Sequence, residues 1–154
     1  MFGIVKVENK SDVSSLNEQL FELTDDWFIL SYSNEQFVTG YFDNIRKILE
    51  TINPNIALIT CDALEQVTFQ SEKIIVRKIF STDKKNYFNE LKSDSFRSGW
   101  VFNKNWFSKI GGFSKNLNQF ASYIDNLLSH RCSFKHISQF GVCRTVSLEC
   151  DHVF

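Results

Sequence analysis

The sequence is poor in residues that interrupt a fold. Its 154 residues include one proline, one methionine and six glycines. No Pro- or Ser-rich stretch, low-complexity tract or internal repeat marks a boundary between domains. Because this length is also typical of one domain, we expect residues 1–154 to fold as a single unit.

Long apolar runs and an excess of one charge are also missing. No run approaches the ~18–20 residues of a transmembrane helix, and Met1-Phe2-Gly3 does not open a signal peptide. We therefore expect a cytoplasmic chain without a membrane span. The 17 basic residues nearly balance 18 acidic ones, giving a net charge of −1. Nucleic-acid binding, which draws on a basic surface, is not expected.

Aromatic residues are what the chain has in surplus. It contains 16 phenylalanines, three tryptophans and four tyrosines, or 15% of all residues. Such a chain can bury enough apolar area to offset the entropy of ordering, which excludes intrinsic disorder. A folded domain with a substantial core is expected, but composition alone indicates no function.

Apolar patterning in the first half predicts alternating strands and helices. Ser11 or Asp12 is suited to cap the first helix, and Pro54 ends the second. This β–α–β–α–β order predicts an α/β fold with a mostly parallel sheet flanked by helices. The predicted strands are 3–7, 27–30 and 56–61, and the predicted helices run to about residue 23 and over about 40–52.

The second half is less regular. Two short strands joined by residues 70–73 predict a hairpin, and the tail from residue 132 has strand-like pieces. Apolar residues at helical spacing predict one well-formed amphipathic helix near the end. The hairpin strands are 67–69 and 74–80, and the predicted helices are 84–93, about 103–110 and about 117–129.

Residues 98–113 combine an apolar strand, a short helix and the turn Gly111-Gly112-Phe113. This segment resembles the acceptor side of family-two glycosyltransferases with the GT-A fold. Residues 26–35 resemble the strand that leads to the family's aspartate–x–aspartate motif, and 53–62 resemble its next strand. The resemblance spans about residues 20–145 and implies a reduced GT-A-like, Rossmann-like domain.

The chain departs from that family where the chemistry is done. The resemblance places Tyr32 and Asn34 where two aspartates would hold a divalent cation, and only Glu35 adds a carboxylate nearby. Another alignment makes Asp62 the candidate, again as one acid. The carboxylate nearest to the expected general base is Asp125. The resemblance therefore implies a degenerate site in which no cofactor is expected.

Two groups of residues are candidates for binding a sugar. The first lies at the altered metal motif, and the second is an aromatic cluster whose rings could stack on a sugar. The alternative for the aromatic cluster is that it packs as core. The candidates are Tyr32, Asn34 and Glu35 in the first group and Trp100, Trp106 and Phe113 in the second.

Cysteine and histidine concentrate near the end of the chain. Two x-spaced pairs, His130/Cys132 and Cys150/His152, supply the ligand types that tetrahedral zinc prefers. The alternative is that the cysteines are small buried side chains and the histidines lie at the surface. Disulfides are less expected than free thiols in a cytoplasmic chain.

Three hypotheses for function follow. The leading one is a degenerate glycosyltransferase-like module that binds a sugar nucleotide, a glycan or a protein partner. The first alternative is an active transferase using a nucleotide sugar, with Glu35, Asp62 and Asp125 as its carboxylates. The second is a small structural protein that assembles into a homo-oligomer through exposed apolar residues. Whether the chain is an enzyme stays open.

Overall fold

Strands and helices alternate through the first half of the chain and form a mixed α/β fold. A computed structural model describes residues 2–7, 12–93, 98–114 and 119–148. Within these residues the chain forms seven strands and five helices. The strands are β1 (Phe2–Val7), β2 (Trp27–Tyr32), β3 (Glu35–Phe37), β4 (Ile56–Phe69), β5 (Glu72–Lys78), β6 (Val101–Asn103) and β7 (Ser133–Leu148). The helices are α1 (Val13–Phe21), α2 (Tyr41–Glu50), α3 (Lys84–Leu91), α4 (Lys104–Ile110) and α5 (Gln119–Ser129).

The strands form one sheet in the order β1-β2-β6-β4-β7-β3, and β5 pairs with β4 outside this path. The β1–β2 and β4–β7 pairings are parallel. The β2–β6, β4–β6, β4–β5 and β3–β7 pairings are antiparallel. A mostly parallel, GT-A-like sheet is therefore not confirmed: the described strands form a mixed sheet, in which short β6 lies antiparallel between β2 and β4.

Polar side chains begin three of the helices. Asp12 accepts a hydrogen bond from Ser15 N at 2.7 Å and so caps α1, as one of the two predicted caps. Asp83 caps α3 in the same way, and Asn103 caps α4. The α4 helix ends at Gly111, whose φ of 94° favours glycine. None of the helices in the described parts of the chain is long and apolar enough to cross a membrane.

The sheet separates two apolar layers. On one face, α1, α3, α4 and α5 cover a large cluster that includes Leu58 of β4. On the other face, α2 covers a smaller cluster that includes Ile59 and Cys61. Because side chains alternate along a strand, Thr60 and Asp62 share the face of Leu58. Two polar residues of β4 thus point toward the side of the sheet that carries α3.

Most of the aromatic surplus forms the larger cluster. Phe102 is 2% exposed, and its ring lies 5.1 Å from that of Phe28 and 5.7 Å from that of Phe113. Trp100 and Phe113, which were sugar-binding candidates, are also buried, at 2% and 3% exposure. Their rings are therefore not accessible to a ligand at the surface, and both residues pack in the core, which was the alternative prediction for this cluster.

The two ends of β4 have different surroundings. Its first part lies buried between β6 and β7. From residue 64 onward it pairs with β5 on one side and β7 on the other, and we call these paired segments the distal ribbon (residues 64–69, 72–77 and 143–148). Ile74 and Ile75 of this ribbon are each 56% exposed.

Candidate functional site

A cavity of about 670 Å³ opens between α3, β4 and the first part of β7. One part of its lining is aromatic: the rings of Phe88 and Phe134 lie 5.6 Å apart, and Tyr87 adjoins Phe88 at the same distance. The lining also includes the hydroxyl groups of several serines and the side chain of Lys84. The cavity therefore combines ring faces, hydrogen-bonding groups and one cation.

A continuous chain of hydrogen bonds runs along the sheet side of this cavity. His136 Nε2 lies 3.1 Å from Asp62 Oδ1, and His136 Nδ1 lies 2.9 Å from Thr60 Oγ1. The same threonine oxygen lies 2.7 Å from the hydroxyl of Tyr87. Four side chains from β4, β7 and α3 are thus linked in one line.

Strand register brings these residues together. In the parallel pairing of β4 with β7, Thr60 lies opposite His136. Asp62 follows Thr60 by two residues, so it shares the same face and reaches the other nitrogen of the imidazole. The register shifts directly after this point, where Asp62 pairs with Phe140. Tyr87 comes from α3, which packs on this face of the sheet.

Asp62 and Tyr87 form the two ends of this chain of hydrogen bonds. The carboxylate of Asp62, in a residue 6% exposed, accepts a hydrogen bond from Phe80 N at 3.0 Å in addition to facing His136. Burial also raises the pKa of Tyr87 to about 12, although its hydrogen bond with Thr60 acts in the opposite direction. The phenol is therefore protonated throughout the neutral range.

The arrangement resembles an acid–histidine–hydroxyl relay, but its hydroxyl is enclosed. Thr60 is fully buried, at 0% exposure, so its oxygen cannot reach a substrate in the cavity. Both ring nitrogens of His136 already face protein partners. Nucleophilic catalysis needs an accessible nucleophile beside its base. The geometry suits binding better than covalent chemistry.

The three candidates at the altered metal motif lie together elsewhere. Tyr32, Asn34 and Glu35 line a pocket of about 100 Å³ with Ser98 and Arg144. A Glu35 oxygen accepts a hydrogen bond from the backbone N–H of Tyr32 at 3.1 Å. Arg144 faces the carboxylate of Glu65 at 2.6 Å. This pocket is small, and much of its polar lining is engaged within the protein.

The remaining candidates are dispersed. Asp125 forms an ion pair with Lys92 at 2.6 Å and does not line the large cavity. Trp106 lines a different, shallow pocket, where its indole N–H donates to the carbonyl of Pro54 at 3.2 Å. The ammonium of Lys109 lies 4.6 Å from the indole ring centre. Asp62 is thus the one predicted carboxylate that lies in the cavity.

The zinc candidates fall partly outside the described residues, which do not include Cys150 and His152. Cys132 donates a hydrogen bond to the carbonyl of Leu127 at 3.1 Å, and burial raises the pKa of its thiol. His130 Nδ1 lies 2.9 Å from the carbonyl of Asn126. Within the described ranges, no three His, Cys, Asp or Glu side chains group closely enough to hold a metal ion.

Three residues of the hydrogen-bonded chain were not among the sequence candidates: Thr60, Tyr87 and His136. One signal could have found the first. Thr60 and Asp62 are polar residues two apart in an otherwise apolar stretch, residues 56–64, and this spacing puts both on one buried face of the strand. His136 carries no comparable signal, because its role depends on the register between two distant strands.

Comparison with known proteins adds no assignment: no protein-family model matches this chain, and no curated protein matches its sequence.

Proposed function

We propose that this chain is a non-catalytic binding module whose cavity takes a small, hydroxyl-rich ring, such as one sugar unit of a glycan. The observation that carries the proposal is the combination of aromatic faces with hydroxyl groups in one cavity of about 670 Å³. That volume lies within the range of small-molecule sites, roughly 300–1,000 Å³.

The chemistry of a sugar matches the two kinds of lining. The C–H faces of a sugar ring are apolar and pack on aromatic side chains, here Phe88 and Phe134. Its hydroxyl groups both donate and accept, which suits the side chains of Ser81, Ser133 and Ser138. Two of these hydroxyls already accept a hydrogen bond within the protein: Ser133 Oγ from the side-chain amide of Asn55 and Ser81 Oγ from the backbone N–H of Asp83, each at 3.2 Å. Their own O–H protons remain available to a ligand.

The glycosyltransferase resemblance supports the same class of ligand. The segment that carries it forms a short strand, a short helix and a Gly111-Gly112-Phe113 turn, in the order that the resemblance implies. The altered metal motif contributes one carboxylate, Glu35, instead of two. We therefore propose a degenerate, binding member of this class, and the alternative is an active transferase that uses a nucleotide sugar.

The test is calorimetric titration of the protein with glucose, galactose and N-acetylglucosamine, with UDP- and GDP-sugars plus Mn²⁺ in a parallel series. We expect binding of at least one simple sugar without metal. Replacing Phe88 by alanine should weaken that binding by about 3- to 10-fold, because one aromatic contact is lost. Phe42→Ala is the matched control, since Phe42 is also a half-buried helical phenylalanine but lies under the opposite face of the sheet.

Each outcome separates the candidates. Manganese-dependent binding of a nucleotide sugar that Phe88→Ala leaves unchanged would favour the transferase. The absence of any heat signal or thermal stabilisation at millimolar sugar would refute the binding proposal. Equal losses in Phe88→Ala and Phe42→Ala would show that the affinity reflects general stability and not contact in the cavity.

A further inference from the structure

We infer that the ligand of this cavity carries an anionic group, which Lys84 and the hydroxyl of Tyr87 bind while His136 takes up a proton. The inference rests on the proposed function, because it concerns the ligand of the same cavity. It follows from the direction in which the hydrogen bonds along the chain of Asp62, His136, Thr60 and Tyr87 must run.

With a neutral imidazole, only one direction is consistent. An ionised carboxylate only accepts, so the ring proton lies on Nε2 and is donated to Asp62. Nδ1 then carries a lone pair and accepts the hydroxyl proton of Thr60. The threonine oxygen in turn accepts the hydroxyl proton of Tyr87. In this state the hydroxyl of Tyr87 donates its hydrogen bond to Thr60 and is not available to donate to a ligand.

Protonation of His136 reverses the second half of the chain. Both ring nitrogens of an imidazolium donate, so Nδ1–H points at the oxygen of Thr60. The hydroxyl of Thr60 then donates to the oxygen of Tyr87. Tyr87 no longer donates to Thr60, and its own O–H becomes available to an acceptor. The protonation state of one imidazole thus sets whether Tyr87 offers a proton to a ligand.

Lys84 contributes a positive charge to the cavity, which favours an anionic acceptor over a neutral one. It precedes Tyr87 by three residues, so both lie on the same side of α3, and both line the cavity. Its ammonium lies 5.9 Å from the ring centre of Phe88, which is part of the aromatic lining. A ring stacked there with a carboxylate or phosphate group would meet a cation and, after proton uptake, a phenolic donor.

Charged and titratable groups from three parts of the chain surround the cavity side of His136. Asp62 of β4 places a carboxylate oxygen 3.1 Å from Nε2. On α3, Lys84 contributes a cation to the same cavity, and the Tyr87 phenol stays neutral. An anion in the cavity and a proton on the imidazole carry opposite charges and attract one another. The Cys132 thiol, which lines the same cavity, is also neutral because burial raises its pKa. Anion binding and proton uptake therefore reinforce one another.

The experiment is isothermal titration of the full chain with glucuronate, glucose 6-phosphate and glucose between pH 5.5 and 8. We expect either anionic sugar to bind at least about tenfold more tightly than glucose at pH 6, the scale of a hydrogen bond to a charged group. The affinity for glucuronate, whose carboxylate stays ionised over this range, should fall by up to about tenfold per pH unit as the solution becomes alkaline, because one proton is taken up. Buffers of different ionisation enthalpy should report uptake of up to one proton per glucuronate bound; glucose 6-phosphate is not used for this count, because its phosphate loses a proton at about pH 6.

Variants identify the groups involved. Tyr87→Phe keeps the ring but loses the hydroxyl, so the ratio of the affinity for the anion to that for glucose at pH 6 should shrink. His136→Gln should abolish the pH dependence. Lys84→Gln should lower anion affinity at every pH, whereas Lys85→Gln is the matched control on the neighbouring, exposed position. The two anions distinguish a carboxylate from a phosphate as the preferred group.

Three results would overturn the inference, and they are distinct from one another. If glucose binds as tightly as both anions and no proton is taken up, the cavity is a neutral sugar site: the proposed function stands and this inference is wrong. If none of the three sugars binds, both proposals fail. Proton uptake that persists in His136→Gln would also refute the assigned role of the imidazole.

Discussion

The two ends of β4 belong to the same strand and have the same neighbour, β7, yet they experience different environments. Leu58, in the first part, is fully buried between β6, β7 and the helices of the larger cluster. Leu64, in the distal ribbon, pairs with Arg77 of β5 and is only half-buried. Pairing with β7 thus extends along both parts of the strand, with register shifts near Asp62, whereas burial is limited to the first part.

This contrast shows how the two ends of β4 differ in their contribution to stability and to the candidate site. Stability comes mainly from apolar area removed from water, so it is concentrated where helices cover the sheet. The distal ribbon has strand pairing but exposes large apolar side chains such as Ile74 and Ile75. The cavity lies beside the first part of β4, on the face of the sheet that carries α3. Packing there can hold the hydrogen-bonded side chains in place.

The largest expected effect compares two leucines of the same strand. Leu58→Ala removes a fully buried side chain and leaves a cavity, so the free energy of unfolding should fall by about 2–5 kcal/mol. Leu64→Ala, the matched control in the distal ribbon, should cost about 1 kcal/mol or less, because less area is lost. Urea unfolding followed by circular dichroism measures both. Equal losses would show that the ribbon is as tightly packed as the core.

A glycine at the boundary between the two ends should give an intermediate effect. A Cβ added to Gly141 of β7 would lie 2.7 Å from Cys61 Sγ and 2.8 Å from the ring of Tyr41. Gly141→Ala should therefore lower the free energy of unfolding by about 1–3 kcal/mol through overpacking. Thr145→Ala, an exposed change further along β7, serves as control. A neutral Gly141→Ala would mean that the strand can move away from α2.

The smallest effect on stability is expected at the exposed isoleucines. Ile75→Lys should change the free energy of unfolding by no more than about 0.5 kcal/mol, because the side chain is 56% exposed. The same variant tests the assembly hypothesis, since an oligomer formed through the ribbon should dissociate. Ile4→Lys, at the opposite edge of the sheet and 47% exposed, is the matched control. Light scattering after size exclusion that finds both variants and the parent monomeric would exclude assembly through the ribbon.

Local patterning predicts the covered part of the fold better than the distal ribbon. The first strands and helices, the Asp12 cap and the short helix before Gly111 occur close to their predicted positions. The strands predicted at 56–61 and 67–69 are instead one strand, β4, because pairing with β5 and β7 holds residues 62–66 extended. The strand-like tail is likewise one long strand, β7. Such continuity is imposed by neighbours and has no local signal.

In the candidate site, too, local sequence signals do not reveal features that depend on neighbouring strands. Asp62 was a candidate because an alternative alignment of the glycosyltransferase resemblance places its carboxylate at the metal motif. Its partner His136 could not be singled out, because their proximity depends on a parallel register between strands far apart in the chain and on an irregularity that follows it. The order of strands, with β6 between β2 and β4, is equally a tertiary property. Of the four residues in the hydrogen-bonded chain, only Asp62 was a predicted site residue.

The pairing of β4 with β7 also has a consequence for how the chain folds. It joins Ile56 to Ser133 and continues to Phe69 and Leu148, so it closes a loop that contains β5, β6 and three helices. Closing so long a loop costs entropy before its contacts form, and folds dominated by such pairings form slowly. The hairpin of β4 and β5 can form early. The cavity and its hydrogen-bonded chain require the pairing of β4 with β7, so we expect a binding-competent site to form late in folding.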